Sequence, residues 1–266
     1  MCLSEAAARG RGIAAAVSSP VACLRARPDS RSELLSQELF GHSVLVTARK
    51  DGWSRCTLRD SHRGWMPTSA LSCHFDHPPN RAVAVRFAAV STGAGVSLLL
   101  PLGSLVAVLG TDGPAARVAL PGGRVGSVPT RDLRSAGALA WSRRAFSAIV
   151  RQVTGTPYLW GGRSTFGFDC SGLVQAVMSE FGIELPRDSR DQAQCGLRVR
   201  RMEDLAPFDL VFFGRGRTID HVAIHLGGLR ILHASGHVRK ESLDPGSRLF
   251  RADLRSRFRW ARRIVR

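Results

Sequence analysis

The chain has 266 residues, 44% of them hydrophobic, enough for one large domain or two to three small ones with real cores. No run approaches the roughly 18 apolar residues that a membrane-spanning helix needs, so no membrane span is expected. The formal charge of +17 invites phosphate-bearing partners. Against that, the arginines are scattered from Arg9 to Arg266, Lys50 and Lys240 are the only lysines, and no nucleic-acid-binding motif is present. Nucleic acid is therefore not expected as a partner.

At the N-terminus Glu5 precedes two arginines, and the apolar stretch Ile13 to Val17 is too short for the core of a signal peptide. The expectation is a chain that is not exported and works in the cytoplasm. Cys2, Cys23, Cys56, Cys73, Cys170 and Cys195 form no CxxC pair, which suits a reducing compartment. Cys73, His74 and His77 lie close together in "SCHFDHPP" but lack a second pair of ligands at zinc spacing. They are read as a loop, with no metal and no cofactor.

Two stretches, one from Phe40 and one from Leu102, repeat each other. Gly41 and Gly103, Gly64 and Gly126, Pro67 and Pro129, and Leu71 and Leu133 are each separated by 62 positions. Each copy alternates apolar and polar residues, as at Val44 and Val46 or Val106 and Val108, and carries Asp-Gly where a turn should fall. An internal duplication of two small β-barrels is expected. Trp53 and Trp65 in the first copy have no tryptophan counterpart in the second, and Trp53 is expected in the barrel core. "SAGALA" from Ser135 then reads as a linker, followed by the helical spacing of Trp141, Phe146, Ile149 and Val150.

After Cys170, the residues Leu173, Val174, Val177, Met178 and Phe181 recur on one helix face, so the cysteine falls in a first helical turn. Unpaired N–H groups and the helix dipole there favour an anion, and the expectation is a thiol activated toward thiolate. The glycines of "WGGRSTFGFD" are expected to let a substrate backbone approach. Amide cleavage also needs a proton donor for the leaving amine, usually an imidazole. In "DHVAIHLGGLRILHAS" strand alternation puts His221, Ala223 and His225 on one face. A second strand runs from Arg230 to Ser235. If an odd, three-residue connection joins the two, Ala223 pairs with His233 and the latter lands on the face of His221. A two-residue turn would separate them.

The motifs "YLWGGRSTFGFDCSGLV", "LPRDSRDQ", "DLAPFDLVFF", "HVAIHLG" and "ILHAS" come in an order and spacing that resembles the NlpC/p60 cysteine peptidases, across about Trp141 to Arg266. In the first copy, Leu24-Arg25, Ser32-Glu33-Leu34, Gln37, Gly41 and Gly64-Trp65 resemble bacterial SH3-like modules. The combination is similar to γ-D-glutamyl-L-diamino acid endopeptidases. The resemblance implies an α+β fold, a papain-like NlpC/p60 catalytic domain preceded by two small SH3-like β-barrels. The expected division is a terminal segment 1–17, barrels at 18–76 and 77–136, and a peptidase domain at 137–266. It implies Cys170 as nucleophile, His221 as base and acid, His233 as the residue fixing the imidazole, and Tyr158 beside the oxyanion. Asp169, Ser171, Ser189 and Trp160, with Glu33 from the first module, are implied as substrate contacts. The implied partner is a peptidoglycan stem peptide, L-Ala-γ-D-Glu-diaminopimelate, cut in cell-wall peptide recycling. An amidase or intact-wall hydrolase on the same fold and a non-enzymatic basic binding protein are the alternatives. Phe208 stands where the family has glycine, Ala223 replaces a glycine and His225 a tyrosine.

Overall fold

In the computed structural model the described residues are 12–73, 77–93, 95–216 and 218–264. Residues 1–11, with Cys2, and His74 of the Cys73 cluster lie outside them. The chain divides into two units, Met1–Ala138 and Leu139–Arg266, and the division falls inside the expected linker.

The first unit holds the duplication. One sheet comprises β1 (Ile13–Val17), β2 (Val21–Arg25), β3 (Leu34–Leu39), β4 (Ser43–Lys50), β5 (Trp53–Thr57), β6 (Arg63–Pro67) and β7 (Leu71–Ser72). The other comprises β8 (Arg81–Val83), β9 (Phe87–Thr92), β10 (Gly95–Pro101), β11 (Leu105–Asp112), β12 (Ala115–Leu120), β13 (Arg124–Pro129) and β14 (Leu133–Ser135). Their strand orders are β3-β2-β6-β5-β4-β1-β7 and β10-β9-β13-β12-β11-β8-β14, so the second follows the first with every label raised by seven. The 62-residue repeat is thus one barrel topology used twice.

Two sequence expectations change here. The first barrel begins at Ile13, not at 18, because Ile13–Ala16 pairs antiparallel with Ser43–Val46. The short apolar stretch near the N-terminus is a strand. Trp53 is only half-buried; the core it was assigned to is built from Val17, Leu24, Val44, Val46, Cys56, Leu58 and Met66. Inward positions of so small a barrel are filled by aliphatic side chains. The ends of the barrels also interlock. Phe40 is fully buried in the cluster of the second barrel, and the Leu105 N–H donates to the Phe40 carbonyl at 2.8 Å. Gly41, at φ 79°, is required there because a Cβ would sit 2.1 Å from the Leu105 oxygen.

The second unit is α+β. A six-stranded antiparallel sheet runs in the order β17 (Leu197–Val199), β22 (Phe258–Arg263), β18 (Leu210–Arg215), β19 (Thr218–Gly227), β20 (Arg230–Ser235) and β21 (His237–Ser242). A two-stranded hairpin, β15 (Arg163–Ser164) and β16 (Gly167–Phe168), precedes the helix α2 (Cys170–Ser179), which packs on β19 and β20. The helix α1 (Arg143–Val153) starts where the Ser142 hydroxyl accepts from the Ala145 N–H at 3.1 Å and buries Phe146, Ile149, Val150 and Val153. Phe146 meets Trp141, Phe181 and Phe208 in an aromatic cluster with ring centroids 4.5–6.2 Å apart.

Candidate active site

Cys170 is the first residue of α2, and the turn that delivers it is fixed by Asp169. One carboxylate oxygen of Asp169 caps the helix, accepting from the Gly172 N–H at 2.6 Å, while the other accepts from the Gly161 N–H at 2.9 Å. Arg187 closes on the same carboxylate with two nitrogens and donates to the Ser171 hydroxyl at 3.0 Å. Asp169, Ser171 and Arg187 are 7%, 6% and 3% exposed. A buried carboxylate met by a two-pronged guanidinium and two backbone N–H groups is a satisfied one. Gln192, in the short helix α3 (Ser189–Gln192), ties its amide to the Ser171 carbonyl at 3.1 Å and to the Pro186 carbonyl at 2.9 Å. The glycines serve the chain's own packing: a Cβ on Gly172 would lie 2.1 Å from the Gly162 oxygen, and one on Gly162 would lie 2.4 Å from the Gly167 oxygen.

The histidines come together through a bulged hairpin. β19 and β20 pair with Ile224 opposite Leu232 and His225 opposite Ile231, and the register shifts before Gly227 meets Arg230. Continuing that register sets Ala223 opposite His233. The connection is two residues, Gly228 and Leu229, both at positive φ as a type I′ turn requires, and the bulge supplies the third. His221 Nε2 lies 2.9 Å from His233 Nδ1. His233 Nε2 in turn lies 2.7 Å from the Glu241 carboxylate, which is ion-paired with Arg251 at 2.6 Å and Arg239 at 3.1 Å. The Val222 N–H points to the Cys170 sulfur, one residue beyond His221.

Electrostatics differ from the sequence expectation. Burial and the neighbouring Asp169 carboxylate push the Cys170 thiol up to about 11, although the Val222 and Ser171 N–H groups and Arg187 pull the other way. Burial, then the neighbouring His233, Arg257 and Arg251, push His221 down to about 3. His233 is lowered by burial against the opposing effect of Glu241. At neutral pH the pair is a neutral thiol and a neutral imidazole. The helix start does not make a resting thiolate, because desolvation outweighs a few N–H dipoles. Tyr158 is pushed up to about 12 by burial and by the nearby Cys170 and Asp169, so its phenol keeps its proton and remains a donor.

Cys170, His221, His233 and Tyr158 are therefore gathered around the start of α2 and the middle of β19. Asp169 and Ser171 adjoin them, but both are engaged inside the domain rather than presented to a ligand. Ser189 is half-buried at the start of α3, and Trp160 is 64% exposed in the segment before β15. Glu33 is exposed in the first unit, between β2 and β3. Sequence reasoning missed Arg187 and Glu241. The first lies within the quoted "LPRDSRDQ", and the second shares a strand face with Arg239 by simple alternation.

Comparison with known proteins places these features in a family. The chain is 31% identical over 220 residues to a γ-D-glutamyl-L-lysine dipeptidyl-peptidase of Bacillus subtilis, covering 75% of this chain and 71% of that protein. The model of the NlpC/P60 family matches residues 155–251. The chain belongs to the NlpC/P60 family. It is a cysteine peptidase of that family, and the model described as the bacterial dipeptidyl-peptidase Sh3 domain matches residues 24–71 of its first barrel. A Bacillus cereus γ-D-glutamyl-L-lysine dipeptidyl-peptidase is 28% identical over 244 residues, covering 80% of this chain and 71% of the relative. The fold is shared with the crystal structure of a Bacillus cereus NlpC/P60 family protein, at a TM-score of 0.85 and 23% identity over 95% of this chain and all of that one.

Proposed function

We propose that this NlpC/P60 peptidase cuts the bond between γ-D-Glu and the diamino acid of peptidoglycan stem peptides with a free N-terminal L-Ala, and prefers diaminopimelate. The observation that carries the reading is the His221–His233 pair, hydrogen-bonded at 2.9 Å beside a helix-start thiol. Its substrate class is supported by the two relatives named γ-D-glutamyl-L-lysine dipeptidyl-peptidase.

In this mechanism His221 Nδ1 takes the Cys170 proton as the sulfur attacks the γ-carbonyl carbon of D-Glu. Concerted proton removal is what a neutral pair requires. The Tyr158 hydroxyl donates to the developing oxyanion. As the C–N bond breaks, the imidazolium returns its proton to the leaving amine, and water then cleaves the L-Ala-γ-D-Glu thioester with the same imidazole as base. His233 holds the His221 ring. Asp169 and Arg187 hold the start of α2, while Ser189 and Trp160 contribute to peptide binding.

The choice of diaminopimelate over lysine rests on a groove of about 300 Å³ lined by Arg190, Gln194, Thr218, Ile219 and Trp260. Ile219 lies two residues before His221 on β19, and the Arg190 guanidinium would pair with the second carboxylate that lysine lacks. The same reading puts the enzyme in the cytoplasm on released peptides, which cell fractionation tests.

The test is incubation of wild type, Cys170→Ala and Arg190→Ala with L-Ala-γ-D-Glu-meso-diaminopimelate and its L-lysine analogue, read by mass spectrometry. Wild type releases L-Ala-D-Glu from both and favours the first. Cys170→Ala releases none while keeping its circular dichroism. Arg190→Ala loses about 5- to 10-fold in kcat/KM on the diaminopimelate peptide alone, the size of one exposed charge-assisted contact. Cleavage only of muramyl-linked peptides would replace this reading with the amidase.

A further inference from the structure

Glu241 lies outside every motif that suggested the site, yet it ends a chain of hydrogen bonds that begins at His221. The Glu241 Oε2 to His233 Nε2 distance is 2.7 Å, and the His233 Nδ1 to His221 Nε2 distance is 2.9 Å. A carboxylate can only accept, so His233 Nε2 must carry a hydrogen. A neutral imidazole has one N–H, which leaves His233 Nδ1 bare and able only to accept. His221 Nε2 must then be the donor between the rings. That leaves His221 Nδ1 with its lone pair, the form needed to take a thiol proton.

We infer that Glu241 is a positioning residue that selects the tautomers of both histidines, and so keeps His221 Nδ1 free to accept the Cys170 proton. The inference rests on the reading of Cys170 and His221 as the reacting pair. Without an acceptor-only group at this end, His233 can carry its hydrogen on Nδ1 instead and donate it to His221 Nε2. The His221 hydrogen then moves to Nδ1, and the imidazole faces the thiol with an N–H that cannot take a proton.

The surroundings hold Glu241 to this task. Arg251 binds its Oε2 at 2.6 Å and is itself fixed by Asp253 at 2.7 Å, and Arg239 pairs with Oε1 at 3.1 Å. The His233 side chain is wholly buried, so water does not compete for its nitrogens. Burial also keeps both histidines neutral at pH 7, the state in which a tautomer choice exists. Other active-site histidines use a carboxylate to fix a tautomer directly; here the instruction passes through a second imidazole.

The test uses the full chain with ¹⁵N-labelled histidine and long-range ¹H–¹⁵N correlation at pH 7, on wild type, Glu241→Gln and Glu241→Asp. In wild type, hydrogens are expected on Nε2 of both His221 and His233. Glu241→Gln, whose amide can donate or accept, should give mixed tautomers and a kcat lower by about 10- to 100-fold, as when outer partners of metal-bound histidines are lost. KM should stay within about twofold. Glu241→Asp keeps an acceptor-only group and should keep the wild-type tautomers even where its shorter reach slows turnover. A hydrogen on His221 Nδ1 in wild type, or unchanged tautomers and kcat in Glu241→Gln, overturns the inference. The spectra need no substrate, so failure of the assigned peptide to be cut would leave this test standing.

Discussion

In the barrel unit the cores are lined mostly by Val, Leu, Ala and Met, and the buried Ser32 is met close by in sequence, its hydroxyl bonding the Arg27 and Asp29 carbonyls. In the peptidase unit a carboxylate is buried against a guanidinium 18 residues away, and a histidine pair leads to a second carboxylate across the sheet. The difference is one of purpose. Aliphatic cores stabilise wherever they are, whereas long-range buried pairs cost much of what they return and persist where they hold a group in place. Substitutions in the two units should therefore separate stability from turnover.

The largest separation is expected at Arg187. Arg187→Met leaves Asp169 buried without its counter-charge, which costs about 3–5 kcal/mol, and loosens the cap that sets Cys170. Unfolding midpoints and kcat should fall together, and the double variant with Asp169→Asn should recover part of the stability but not the turnover. Full activity in Arg187→Met would mean that the pair has no role in placing the thiol.

The opposite limb is Leu24→Ala in the first barrel. Leu24 is fully buried, and truncation there costs about 2–5 kcal/mol. Denaturant melts should show the first unit weakened, while kcat per folded molecule on the tripeptide stays within about twofold. A fall in kcat comparable to that of Arg187→Met would erase the distinction between the units.

Charge states sharpen it further. With the thiol at about 11, the rate of iodoacetamide alkylation at Cys170 should keep climbing from pH 6 to pH 10; a plateau near pH 7 would restore the activated thiolate. His221, His225 and His233 all titrate below the ordinary 6.5, so below that pH the unfolded chain binds more protons than the folded one. Stability then decreases as pH falls, by at most about 1.4 kcal/mol per pH unit for each histidine. Equal melts at pH 5 and pH 7 would contradict their burial as neutral groups.

Legibility follows the same divide. The duplication was readable because one pattern recurs 62 positions on, and the helix start at Cys170 because apolar spacing marks a helix face. The hairpin register was readable only as a condition, since a bulge after His225 leaves no mark in the residues. Arg187 and Glu241 could not be assigned from spacing: their partners are fixed by tertiary packing and by the β20–β21 register, where His233 faces Arg239. The thiol's environment was misjudged for a related reason, because the helix N-terminus is visible in sequence and its desolvation is not. Trp53 was misplaced because hydrophobicity does not tell which face of a strand a large ring takes.

The smallest effect concerns a place where the peptidase unit behaves as the barrels do, by packing alone. Phe208 occupies the left-handed region at φ 79°, its N–H bound to the His225 carbonyl at 2.7 Å. Its ring is held edge-on by Trp141 and Phe146 at 4.8 and 4.6 Å. Aromatic packing thus offsets a backbone cost of about 1–2 kcal/mol. Glycine removes both the ring and the strain, while alanine removes the ring and keeps the strain. Phe208→Gly should therefore be more stable than Phe208→Ala by about 1 kcal/mol, reversing the usual order of the two residues, with kcat unchanged in both. If alanine proves the better substitute, the φ at this position relaxes once the ring is gone, and the aromatic cluster is what imposes it.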